Sequence, residues 1–187
     1  MIQQALRINN TNKACRILLE GSILGYPTEA VFGLGVDCTN IDAIKSLRKI
    51  KDRGLKGLII ITHQWSVIEP WVDTDTLHSE QIQQALKTWP GPYTWIMPAS
   101  SLAPKEILGP DHTLAIRIPD HPICLEICEK LNRPIVSTSA NPKGLEPART
   151  TDEFTNYFND IPVYDGLIGN QKKPSTIIDI LSGKTLR

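Results

Sequence analysis

Ser137-Thr138-Ser139-Ala140-Asn141 puts four small hydrogen-bonding side chains within five residues, directly after the β-rich run Pro134-Ile135-Val136. Pro142 and Gly144 then turn the chain away. Open α/β sheets bind ligands just beyond the carboxyl ends of their strands. Hydroxyls and an amide there can hold an anion or a nucleotide without adding charge. The same residues also build ordinary turns, so this segment alone leaves both readings open.

Other stretches supply matching parts. Thr28 and Glu29 follow Tyr26-Pro27 at a strand end and precede Gly33 and Gly35, which permit close backbone approach. Thr28 there either points into a cleft or serves as a cap or turn former. Lys51 and Arg53 flank one residue in a basic loop punctuated by Gly54 and Gly57. In an extended loop they face the same side, a spacing that suits a polyphosphate; the alternative is a solvated basic turn. Arg117 interrupts the apolar run that starts at Thr113. A half-buried arginine needs a partner, and the pattern favours an anion over the solvent face that alternation also allows. Ser175 sits at a strand end beside Lys172 and Lys173. The chain has no Gly-x-x-x-x-Gly-Lys-Ser/Thr motif, so a bound nucleotide would not be held by a P-loop. Trp89-Pro-Gly-Pro92 reads as architecture, with no chemistry assigned.

The elements that must position these residues alternate in type. Helices are expected from Asn12 to Glu20, Asp42 to Ile50, Ser79 to Thr88 and His121 to Leu131. Thr150 opens another, to Phe158, with a capping box to Glu153. Trp65 to Val72 reads as a helical connector broken by Pro70. Strands are expected at Ile23–Tyr26, Leu58–Thr62, Tyr93–Met97, Thr113–Ile118, Pro134–Val136 and Ile177–Leu181, with an edge-type strand at Ile161–Tyr164. The pattern predicts an α/β fold with a twisted, mixed β-sheet flanked by helices.

At 187 residues the prior is one domain, 1–187, large enough for a sizeable core. Twenty basic and twenty acidic side chains balance, which argues against a general nucleic-acid coat and leaves only a local basic groove. The cysteines Cys15, Cys38, Cys124 and Cys128 form no Cys-x-x-Cys pair, so no metal knuckle or disulfide framework is readable. Cys124 and Cys128 lie four apart on a helix, as core residues do. No cluster of metal ligands and no general base stands out. The polar N-terminus and the lack of a long apolar run predict a cytoplasmic protein without a membrane segment.

Six motifs occur in order: Tyr26-Pro-Thr-Glu-Ala-Val-Phe-Gly-Leu34, Lys51-x-Arg53, Trp89-Pro-Gly-Pro92, Ala115-Ile-Arg-Ile-Pro119 with Asp120-His-Pro122, Ser137-Thr-Ser-Ala-Asn141 and Pro174-Ser-Thr176. Together they resemble the YrdC/Sua5 family in its short bacterial form, across essentially the whole chain. The resemblance implies a YrdC-like fold and a nucleotidyltransferase. Such an enzyme makes threonylcarbamoyl-adenylate and diphosphate from L-threonine, bicarbonate and ATP. It implies that Thr28, Arg117 and Ser175 hold threonine. It places Lys51, Arg53, Thr113, Ser139, Asn141 and Arg187 against ATP, with Mg2+ on the phosphates. The implied partner is a transferase complex that passes the threonylcarbamoyl group to adenosine 37 of tRNAs reading codons that begin with A. A non-enzymatic RNA-binding module, with direct tRNA contact, is the alternative. The chain departs from the family pattern at Gly54, where proline is common, and at Pro142-Lys143.

Overall fold

Strand register decides where the functional side chains go. The computed structural model describes residues 6–51 and 58–187. Among these, nine strands form one sheet: β1 (Arg7–Ile8), β2 (Leu24–Pro27), β3 (Phe32–Asp37), β4 (Ile59–Ile61), β5 (Tyr93–Pro98), β6 (Thr113–Arg117), β7 (Ile135–Ser139), β8 (Val163–Tyr164) and β9 (Thr176–Asp179). Their order is β1-β8-β2-β3-β7-β4-β6-β5-β9. β4 runs parallel to β6, and β5 to β9, while β7 lies antiparallel to both β3 and β4. The sheet is therefore mixed, as expected. The 161–164 segment is not at the edge, because β1 pairs with β8 and covers it.

The helices are α1 (Thr11–Leu19), α2 (Ile41–Ile50), α3 (Trp65–Ile68), α4 (Ser79–Lys87), α5 (Pro122–Leu131) and α6 (Thr151–Tyr157). Local chemistry sets their ends. The Asn10 and Asn40 side chains accept the backbone N–H of Lys13 and Ala43, capping α1 and α2. Pro122 occupies the first turn of α5, where its missing N–H costs nothing, and Asn132 closes that helix in the left-handed region at φ 49°. Thr150 caps α6 through the Glu153 N–H.

Alternation along the strands sorts side chains onto two faces. Ile60, Leu114, Ile116, Val136, Leu34 and Val36 pack into a large core with α2, α3, α4 and α6. Tyr26, Ile61 and Ile135 face the other way, against α1 and α5. That second layer is small, and it leaves part of its face of the sheet uncovered.

β3 was not expected from the sequence, yet it lies inside the sheet between β2 and β7. All six of its residues are buried, so it lacks polar–apolar alternation, and two are glycines. Those glycines have a structural use. A Cβ on Gly35 would come within 2.7 Å of the Tyr26 ring. The bare backbone lets Tyr26 lie across β3 and donate a 2.8 Å hydrogen bond to Ser137 Oγ.

Candidate functional site

The uncovered part of the sheet is a cleft with about 150 Å³ of enclosed space. Its floor comes from one set of alternating positions: Gly33, Ile59, Ile61, Ser137 and Ser139. Its walls are the β2–β3 turn from Thr28 to Val31, the end of β6 at Arg117, and Pro174-Ser175 before β9. Arg187 and Cys124 also reach it.

Arg117 is the most constrained charge in the cleft. Its Nη2 donates to Glu29 Oε1, in an ion pair whose side chains are only 13% and 5% exposed. Its Nε donates to the Gly91 carbonyl at 3.2 Å. The anion partner expected for this arginine is thus present, and it is a carboxylate of the protein itself. Asp120 N–H adds a second hydrogen bond to Glu29 Oε1, at 2.7 Å. The Pro-Gly-Pro turn, to which sequence reasoning gave no chemistry, supplies the carbonyl that orients the guanidinium. Gly91 is required there, since a Cβ would lie 2.6 Å from the Thr88 carbonyl oxygen.

Thr28 forms the turn and lines the cleft at once. Its hydroxyl donates to the Val31 carbonyl at 2.7 Å, leaving the oxygen's lone pairs free to accept. Ser175 is buried and shares a 2.8 Å hydrogen bond with Thr94 Oγ1. Arg187 Nη2 donates to the Ser175 carbonyl at 3.1 Å, so the last residue of the chain folds back onto the cleft.

Lys51 joins the other expected group. As the C-cap of α2 it sends Nζ to the carbonyls of Ser139 and Asn141 and to Asn141 Oδ1, at 2.9, 2.7 and 2.8 Å. Ser139 Oγ donates to the same Asn141 Oδ1 at 2.8 Å. A lysine and two polar side chains 88 and 90 residues further along the chain therefore form one cluster at the end of β7. Thr113 stands apart. It opens β6, donates to the Pro110 carbonyl at 2.7 Å, and does not line the cleft; four residues of strand, about 13 Å, separate it from Arg117. Arg53 lies outside the described residues.

The cleft offers cations, hydroxyls and one carboxylate, but no activated nucleophile. Burial, reinforced by the charge of Glu29, pushes the Cys124 thiol well up. It stays protonated and donates to the Pro27 carbonyl at 3.3 Å. Burial likewise keeps Tyr26 a neutral donor. Burial lowers the pKa of His121, against the Leu167 carbonyl and the charges of Glu29 and Asp120, which raise it. Among the described residues no three His, Cys, Asp or Glu side chains could hold a metal ion, and no helix is long and apolar enough to cross a membrane. The arrangement can position anionic and hydroxylated groups and neutralise their charge.

A family model covering Sua5, YciO and YrdC, described as telomere recombination, matches residues 16–187. A protein of Photorhabdus laumondii named threonylcarbamoyl-AMP synthase is 43% identical over 167 residues, spanning 88% of each chain. A protein of the same name from Yersinia enterocolitica is 39% identical over 185 residues, covering 95% of this chain and 97% of that one. Among solved structures, P. abyssi Sua5 complexed with L-threonine superposes with a TM-score of 0.83 at 29% identity. That match covers 96% of this chain, which spans only 54% of the Sua5 chain.

Proposed function

This chain belongs to the Sua5/YciO/YrdC family, and we propose that it is a threonylcarbamoyl-AMP synthase, joining L-threonine, bicarbonate and ATP into threonylcarbamoyl-adenylate with release of diphosphate. The observation that carries this reading is the convergence of Thr28, Arg117 and Ser175 on one cleft, with Ser139 on its floor and Lys51 bound to Ser139 and Asn141 beside it.

In this reading threonine lies against Thr28, Arg117 and Ser175. The hydroxyls meet its side chain, and the guanidinium meets its carboxylate. Arg117 is well suited to this, because Nε and Nη2 are held by Gly91 and Glu29 while Nη1 has no protein partner among the described residues. The amine of threonine and carbon dioxide give a carbamate. One carbamate oxygen attacks the α-phosphorus of ATP, and the bond from that phosphorus to the bridging oxygen breaks, releasing diphosphate. No covalent enzyme intermediate is needed. The protein's contribution is to align the two reactants and offset the charge gathering between them.

Lys51, Ser139, Asn141 and Arg187 take the nucleotide side, with Arg53 assigned by its motif alone and Thr113 the outlying member of that set. Magnesium would ride on the ATP phosphates, since the described residues provide no cage of protein ligands for it. The adenylate would pass in the cytoplasm to a transferase that modifies tRNA. Incubating the protein with ATP, threonine and bicarbonate while following diphosphate tests the proposal. Diphosphate release that depends on both threonine and bicarbonate is expected, and release indifferent to threonine would refute it.

A further inference from the structure

We propose that Glu29 Oε2 receives the α-ammonium group of the amino-acid substrate, an inference that rests on the threonine-and-ATP reading above. Glu29 lines the cleft with Thr28, Arg117 and Ser175. Its two oxygens differ sharply. Oε1 accepts from Arg117 Nη2 and from the Asp120 N–H. Oε2 is buried and has no hydrogen-bond partner. A buried carboxylate oxygen left unpaired is costly, and its persistence calls for an explanation.

The residue is not free to turn away. Its carbonyl accepts the Gln171 N–H at 3.0 Å, and Gly169 packs so closely that a Cβ there would lie 3.0 Å from Glu29 Cα. The segment around Gly169 therefore clamps the Glu29 backbone while Arg117 and Asp120 fix one carboxylate oxygen.

Charge balance gives the second argument. Glu29 already neutralises Arg117. A substrate carboxylate arriving alone would bring an uncompensated negative charge into a half-buried cleft. An α-amino acid arrives as a zwitterion. Its carboxylate suits Arg117 Nη1 and its ammonium suits Glu29 Oε2, so the ligand's dipole opposes that of the protein's ion pair. Shielding from water strengthens both contacts.

The test compares L-threonine with 3-hydroxybutanoate, which keeps the carboxylate, hydroxyl and methyl and replaces the ammonium with hydrogen. Calorimetry on the parent protein is expected to show at least about tenfold tighter binding of threonine, or roughly 1.4 kcal/mol. Glu29→Gln keeps an acceptor for Arg117 and Asp120 but puts an amide NH2 in place of Oε2. It is expected to lose that preference, with 3-hydroxybutanoate bound at least as tightly as by the parent, because Arg117 no longer faces a neutralising carboxylate, and with the affinity for ATP little changed. Equal weakening of both acids in the variant would show that Glu29 acts only by orienting Arg117, and would overturn the proposal. If the variant does not fold, the parent alone decides, because equal affinity for the two acids also overturns it. A parent that binds ATP but neither acid would instead refute the threonine reading itself.

Discussion

Replacing Arg117 by alanine removes more than a ligand contact. Arg117 is one half of an ion pair whose members are 13% and 5% exposed. Removing one partner of a buried pair strands the other, at a cost of about 3–5 kcal/mol. Glu29 would keep only the Asp120 N–H, and the Gly91 carbonyl would lose its donor. For a chain of this size each kcal/mol shifts the melting temperature by roughly 2–4 °C, so Arg117→Ala should melt roughly 6–20 °C below the parent. The informative comparison is the double variant Arg117→Met with Glu29→Leu, which replaces the pair by apolar side chains of similar size. Such replacements are often neutral or stabilising, so most of the loss should return. Diphosphate release with threonine, ATP and bicarbonate should stay abolished in both variants. Calorimetric melting of the three proteins alongside the diphosphate assay makes the test. An alanine variant that melts within about 1 °C of the parent would refute the structural role, and near-normal turnover by either variant would refute the functional one.

Other substitutions probe the remaining parts of the site. Lys51→Ala should weaken ATP binding far more than threonine binding in separate titrations; equal losses would indicate that it only braces the Ser139–Asn141 turn. With Thr28 and Ser175 reading the substrate hydroxyl, serine, lacking only a methyl worth about 1–3 kcal/mol, should be a poorer but measurable substrate, and valine should be rejected more firmly. Valine turnover at or above that of serine would withdraw the hydroxyl-binding role. Gly91→Ala forces a Cβ to within 2.6 Å of the Thr88 carbonyl oxygen, so it should lower both stability and threonine affinity; an unchanged dissociation constant would mean that the Gly91 carbonyl does not orient Arg117. Burial lowers the folded pKa of His121 below its ordinary 6.5, so the unfolded chain binds more protons in acid. Stability should hold above about pH 6.5 and fall as the pH drops from there toward the folded value, and His121→Gln should flatten that slope in urea titrations at a series of pH values.

The local signals in the sequence carried a good deal. The capping box of Thr150 and Glu153 marks the start of α6 through chemistry that acts over three or four residues, and α1, α2 and α5 begin within one residue of where their apolar periodicity placed them. Apolar runs such as Leu58–Thr62 and Thr113–Ile118 mark strands for the same reason. The stretches singled out for chemistry were also visible as residue types, because hydroxyls, glycines and cations stand out from the apolar runs around them. The β3 strand was not visible, since burial on both faces and two glycines erase the alternation that identifies a strand. What tertiary structure alone decided is which of these parts meet. Glu29 and Arg117 are 88 residues apart, and Lys51 reaches Asn141 across 90. Thr113 and Arg117 share one short strand yet only Arg117 reaches the cleft, because strand geometry holds the two ends apart. Partners of this kind follow from sheet order and register, which depend on packing over the whole chain and leave no mark in any single stretch of it.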